Sequence, residues 1–201
     1  MRTIYLFRHG LPEFPGGIHL CLGLTPDLPL SAAGRAEAAA WAEFLGEKHV
    51  TAVYTSPALR ARETAAALSG GKLPVKIAET LHEMCYGEWE GMRFDDIKAR
   101  YAELYARRGN DMSLMPPGGE SVEAAGQRGV QALRAILADS QGNLAIAAHA
   151  GLIRATLWRL SGIPAAEIGR FHQDYARANI LTFDGEKLSV QAVNQRLDEL
   201  T

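Results

Sequence analysis

Apolar residues along this chain fall into short runs separated by stretches with helical spacing. Ile4-Tyr5-Leu6-Phe7 is β-branched and aromatic, which predicts a buried strand over 3–8. Residues 50–55, 75–77 and 143–148 read the same way. A final pair of strands is expected over 179–183 and 187–193, joined by the turn Asp184-Gly185. Ser31 predicts the N-cap of an alanine-rich helix reaching Leu45. Ser56-Pro57 predicts a second helix start, with proline at its first position and Gly70-Gly71 as its stop. An amphipathic helix over 94–108 carries Ile97, Tyr101, Leu104 and Tyr105 on one face. Two more helices are expected, one from Glu120 or Ser121 to Ala138 and one over 150–160, closed by Gly162 and Pro164. Segments 11–30, 81–91 and 112–119 show no clean period and read as loops.

Strands that alternate with helices argue for an α/β fold with a largely parallel sheet, and the closing hairpin adds an antiparallel edge. No repeat, low-complexity segment or linker interrupts the 201 residues, so 1–201 reads as a single domain. A formal net charge of -2 gives no reason to expect nucleic acid or an anionic membrane as partner. Any anion site must therefore be a local basic pocket. No apolar run reaches spanning length, and Arg8 and His9 interrupt the first run where a signal peptide would stay apolar. Cys21 and Cys85 are too few for a disulfide scaffold, which favours reduced thiols and a cytoplasmic setting.

Candidate chemistry gathers at the strand ends. The first strand delivers Arg8 and His9, followed by Gly10 where the chain can turn. The second delivers Ser56, with Arg60 and Arg62 early in the next helix, and the strand over 143–148 delivers His149 directly before a helix. In a parallel sheet these ends share one rim, where ligands bind and helix N-termini favour anions. A guanidinium offers a planar fork of donors to a phosphate, and a neutral imidazole offers a lone pair that can attack phosphorus. Two histidines and two arginines on one rim describe a pocket for a dianion.

These motifs resemble the histidine phosphatase superfamily, the phosphoglycerate-mutase-like group. Leu6-Phe7-Arg8-His9-Gly10 resembles its opening signature, and Asp27-Leu28-Pro29-Leu30-Ser31-Ala32-Ala33-Gly34 its helix entry. The segment from Thr55 to Ala65, Leu81-His82-Glu83 with Gly87-Glu88-Trp89-Glu90-Gly91, Pro117-Gly118-Gly119-Glu120-Ser121 and Ala148-His149-Ala150-Gly151-Leu152-Ile153-Arg154 follow in family order. The resemblance implies a three-layer α/β/α sandwich with a mostly parallel central sheet. It implies a metal-independent phosphomonoesterase with no cofactor, in which His9 becomes a phosphohistidine and Arg8, Arg60 and His149 bind phosphoryl oxygens. Glu83 would protonate the leaving oxygen and later activate water. Ala150, through its backbone N–H, and His82, at the substrate mouth, join the expected substrate-binding set. The expected partner is a small phosphate ester, with a homodimer left open.

The chain also departs from the family pattern. Leu11-Pro12-Glu13-Phe14-Pro15-Gly16-Gly17 lacks the family's usual phosphate-touching Asn, Pro26 is an extra residue, and Ala148-His149-Ala150-Gly151 stands where S-H-G-G is usual. The first loop and Cys21-Leu22-Gly23 resemble short bacterial members of the α-ribazole phosphatase type. A cofactor-dependent phosphoglycerate mutase would use the same residues, but has longer segments around the acid loop and tail. A non-catalytic phospho-ligand module would need neither nucleophile nor acid, and a metallohydrolase would need ligand pairs such as H-x-H, which are absent. Arg62, His19 and both cysteines read as structural or surface residues, and Trp89 as packing for the acid loop. Met112, Met115 and Pro116-Pro117 are candidates for a loop over the pocket, with plain loop packing as the alternative reading.

Overall fold

In the computed structural model, which describes residues 1–200, six strands form one sheet. They are β1 (Arg2–Arg8), β2 (Val50–Thr55), β3 (Val75–Ile77), β4 (Asn143–Ala148), β5 (Ala178–Phe183) and β6 (Leu188–Gln195), in the order β3-β2-β4-β1-β5-β6. β3, β2, β4 and β1 run parallel, while β5 and β6 add the antiparallel edge. The helices are α1 (Ala32–Ala39), α2 (Trp41–Glu47), α3 (Leu59–Ser69), α4 (Phe94–Arg100), α5 (Ala102–Asn110), α6 (Val122–Ala138) and α7 (Ala150–Ser161). This is the expected mostly parallel α/β sandwich.

Side-chain alternation along each strand divides the core in two. Ile4 and Leu6, with Leu144 and Ile146, pack against Leu133, Ile136 and Leu137 of α6 and Leu152, Ile153 and Leu157 of α7. Tyr5 and Phe7, with Ala145 and Ala147, face Trp41, Phe44 and Leu45 of α2 and Ala65 and Leu68 of α3. Because β1, β2 and β4 are parallel neighbours, Arg8, Ser56 and His149 emerge together at their C-terminal ends. Above that rim, α4 and α5 carry a small separate core of Cys21, Trp89 and Ile97, with Tyr101, Leu104 and Tyr105 packed against it.

Several boundaries differ from the sequence expectation. The helix expected over 31–45 is two: Ser31 caps α1 as anticipated, accepting from Gly34 N at 3.0 Å. The backbone tightens at Ala40, whose N–H reaches both Ala36 O and Ala38 O, before α2 begins at Trp41. The helix expected over 94–108 breaks at Tyr101, whose φ/ψ of −125/41 is not helical. Tertiary contacts explain this break, since the Tyr101 ring lies against Trp89 and its hydroxyl donates to Glu88. The helix expected at Ser56-Pro57 starts at Leu59, and its first free N–H is taken by the Asp27 carboxylate at 2.8 and 2.9 Å. A distant loop residue thus supplies the cap that Ser56 was expected to give.

Candidate active site

β1 hands His9 to the rim, and the close approach of a neighbouring backbone leaves room only for glycine at position 10. A Cβ at Gly10 would lie 2.5 Å from the carbonyl oxygen of Gly34, so the first turn of α1 packs directly on the backbone behind His9. His9 is almost wholly buried, and its Nδ1 lies 2.8 Å from the carbonyl oxygen of Gly10. A carbonyl can only accept, so Nδ1 carries the hydrogen and, in the neutral ring, Nε2 carries the lone pair. Burial holds the imidazole well below the usual histidine pKa, and the charges of Arg8 and Arg60 push the same way. A neutral His9 with its Nε2 lone pair free is the state a nucleophile requires.

His149, fully buried, meets His9 edge-on with ring centroids 5.2 Å apart, and its Nε2 lies 2.7 Å from Ser56 Oγ. It too is held well below its ordinary pKa, by burial first and then by Arg60, His9 and Arg8. Arg60 is wholly buried as well, with Nη2 donating to Gly23 O at 2.8 Å and Nη1 3.6 Å from Asp27. Among the described residues only five buried side-chain polar atoms lack a hydrogen-bond partner. Four of them belong to this corner: Arg8 Nε, Arg60 Nε, Arg60 Nη1 and His149 Nδ1. Buried polar groups are almost always paired, so such a concentration fits a site made to meet an acceptor-rich anion.

Glu83 is separated from its neighbours Glu88 and Glu90 by its hydrogen bonds. Its carboxylate is buried at the start of α7, accepting from Met84 N (2.8 Å), Leu152 N (2.9 Å) and Gly151 N (3.1 Å). Glu88 instead accepts from Tyr101, while Glu90 ties Leu24, Thr25 and Tyr86 together. Gly151 is required here by packing, because a Cβ would lie 2.7 Å from Glu83 Oε1 and collide with the Tyr86 hydroxyl.

A cavity of about 430 Å³ opens on this corner, with Arg8, His9, Glu83 and Ala150 in its wall. Arg60 and His149, both wholly buried, are not among the residues of the wall. The rest of the lining is mainly aromatic and apolar, including Leu22, Trp89, Phe94, Tyr105 and Met112. Met112 therefore belongs to the cavity wall, while Met115 packs against the cluster that holds Met84 and Val122. His82 does not line this cavity. Its Nδ1 donates to the carbonyl of Glu83, and its own carbonyl accepts from Arg128, so it braces the acid loop instead. Burial pushes the Cys21 thiol up to about 12, so this wall residue is no thiolate. Among the described residues, no group of three or more His, Cys, Asp or Glu side chains is arranged to hold a metal, and no helix is long and apolar enough to cross a membrane.

Several residues of the cavity carry no signal in the sequence motifs, among them Tyr175, Tyr86 and Arg108. Tyr175 comes from the irregular segment before β5, and its ring lies over the Arg8 guanidinium, 3.6 Å from centroid to Cζ. Only its spatial neighbours reveal it. Arg154 was visible as the end of the last motif, but its place in the cavity wall was not.

The fold and the pocket have counterparts among known proteins. The model of the histidine phosphatase superfamily (branch 1) matches residues 4–196, and the chain belongs to that family. It is 31% identical over 198 residues to the adenosylcobalamin/alpha-ribazole phosphatase of Escherichia coli, covering 96% of each chain. A mycobacterial glucosyl-3-phosphoglycerate phosphatase superposes with a TM-score of 0.84 at 26% identity, over 98% of this chain and 100% of the other. Bacillus stearothermophilus YhfR superposes with a TM-score of 0.85 at 26% identity, over 96% of each. Relatives of this kind are phosphatases, and the chain is a phosphoric monoester hydrolase of the same superfamily.

Proposed function

We propose that this protein hydrolyses small phosphate monoesters through a phosphohistidine on His9, without a metal, and that α-ribazole 5'-phosphate is the first substrate to test. The observation that carries the mechanism is the His9 tautomer: Nδ1–H is committed to Gly10 O, leaving Nε2 to attack phosphorus. In the first step the Nε2–P bond forms and the bond from phosphorus to the ester oxygen breaks. Glu83 gives its proton to the departing alkoxide. In the second step Glu83 takes a proton from water, whose oxygen bonds to phosphorus as the N–P bond breaks, releasing phosphate and restoring both residues.

Arg8, Arg60 and His149 hold the phosphoryl oxygens, and the start of α7 at Ala150 faces the same anion. Their unpartnered buried nitrogens support that role. Phosphoryl transfer has a loose transition state, so charge stabilisation and alignment supply most of the rate. The alcohol half of the ester sits against the aromatic wall of Trp89, Phe94 and Tyr105, in a volume suited to a drug-sized organic group. The similarity to the Escherichia coli enzyme supports α-ribazole 5'-phosphate as the first candidate.

The test is a panel of phosphate esters, assayed for phosphate release with and without chelator, on the wild type and on His9→Ala. The expected result is chelator-insensitive release by the wild type, highest for α-ribazole 5'-phosphate, and none by a folded His9→Ala. Full activity in His9→Ala overturns the mechanism. Isomerisation of 3-phosphoglycerate in place of phosphate release overturns the hydrolase reading.

A further inference from the structure

Arg8 reaches the phosphoryl corner without the partner that usually steadies a buried arginine. Burial lowers its pKa, yet among the described residues it makes no salt bridge. Its side chain makes one hydrogen bond to protein, from Nη1 to the carbonyl of Gln173 at 2.8 Å, and its Nε has no partner. The flat face of the guanidinium rests instead on the ring of Tyr175, 3.6 Å from the centroid. The same ring lies 5.6 Å from that of His9. A carboxylate in that position would neutralise the charge that a phosphoryl group needs. An aromatic face fixes the plane of the guanidinium while leaving its charge in place.

The segment that carries Tyr175 has no regular structure, but it is pinned on both sides. Gln173, 1% exposed, exchanges two hydrogen bonds with Asn179 of β5, Nε2 to Oδ1 at 2.9 Å and Nδ2 to Oε1 at 2.8 Å. Asn179 also donates to Leu6 O of β1 at 3.0 Å, and its Oδ1 accepts from Asn194 N of β6. On the far side, Ala176 N donates to His9 O, and Trp41 Nε1 donates to Ala176 O at 2.9 Å. Ala176 holds φ at 51°, in the left-handed region that an alanine rarely adopts. That conformation persists because the bonds around it over-determine it, and it lies directly beside Tyr175.

We propose that Tyr175 is a positioning residue that sets the plane of Arg8 at the phosphoryl corner, with Gln173 and Asn179 as the bracket that holds it there. The inference rests on the phosphatase reading and goes beyond it by assigning a role to the segment that leads into the C-terminal hairpin, which contributes none of the recognised motifs. The ring face carries the effect, because among the described residues no hydrogen bond fixes the Tyr175 hydroxyl. A phenylalanine therefore does the same work, whereas leucine or glutamine does not.

The experiment measures the dissociation constant of inorganic phosphate for the wild type, Tyr175→Leu, Tyr175→Gln and Tyr175→Phe, each also in an Arg8→Ala background. Tyr175→Leu and Tyr175→Gln are expected to weaken phosphate about tenfold, with Tyr175→Phe restoring it. In the Arg8→Ala background the same changes at 175 are expected to matter less than about twofold, because the two residues act as one unit. Equal weakening in both backgrounds, or none in either, overturns the positioning role while leaving the phosphatase reading intact. A wild type that binds no phosphate overturns both. Circular dichroism separates folded variants from unfolded ones, and two non-aromatic substitutions keep the outcome readable if one fails to fold.

Discussion

Three glutamates lie between residues 83 and 90, and only their hydrogen bonds tell them apart. Glu90 is a staple for the loop at 24–25, Glu88 a partner for Tyr101, and Glu83 a carboxylate set against the first amides of α7 beside His9. Glu83→Gln keeps the shape and removes the transferable proton. Its kcat is expected to fall about 10²-fold or more for an alkyl phosphate, and far less for an activated aryl phosphate whose alcohol leaves unaided. Equal losses on the two substrates would remove Glu83 from the acid role. Gly151→Ala tests the same placement from the other side, because the new methyl group must displace Glu83 and Tyr86. A fall in kcat larger for alkyl than for aryl esters is expected from it, and equal losses would contradict the placement.

At the level of elements, α3 depends on a residue far away in sequence. Asp27 receives the N–H of Leu59 and stands beside Arg60 at 3.6 Å, so one carboxylate both caps the helix and borders the buried arginine of the site. Asp27→Ala is expected to cost about 0.5–2 kcal/mol in stability, read by denaturant unfolding, and to shift phosphate affinity at the same time. An unchanged unfolding midpoint would contradict the capping role. The same element shows where the sequence stopped being legible. Ser56-Pro57 is an ordinary helix-start pattern, but Ser56 Oγ is drawn to His149 Nε2, a partner 93 residues away. The break at Tyr101 has the same origin, since a contact with Trp89 outweighs helical periodicity. Local patterns located β1, β2, β4 and α6 to within a residue or two, because strand runs and a Ser N-cap act within a few residues. His9, Glu83, Arg60 and His149 were legible through their motifs. Tyr175 was not, because its significance comes from packing against Arg8 across the sheet. His82 was legible only as a neighbour of Glu83, and its ring turns to backbone rather than to the cavity.

For the molecule as a whole, parallel strands collect the chemistry at one rim, and burial then sets its protonation. His9 and His149 both have folded pKa values well below the ordinary histidine value. Above about pH 6.5 these rings are neutral in folded and unfolded chains alike. As the pH falls below that value, the unfolded chain takes up protons that the folded one refuses, so protonation favours unfolding. The unfolding midpoint is therefore expected to drop between about pH 7 and 5, and His149→Gln should flatten part of that drop. A midpoint flat over this range would contradict the buried neutral state of the two rings. The same neutrality keeps the nucleophile ready in mildly acidic solution. The most direct measurement of the central claim is a rapid acid-free quench during turnover of a ³²P-labelled ester, followed by peptide mapping. The account predicts an acid-labile, alkali-stable phosphoryl group on His9 alone, formed and discharged at rates compatible with kcat. Label on another residue, or steady turnover with no labelled enzyme in either the wild type or a slowed Glu83→Gln variant, would contradict it.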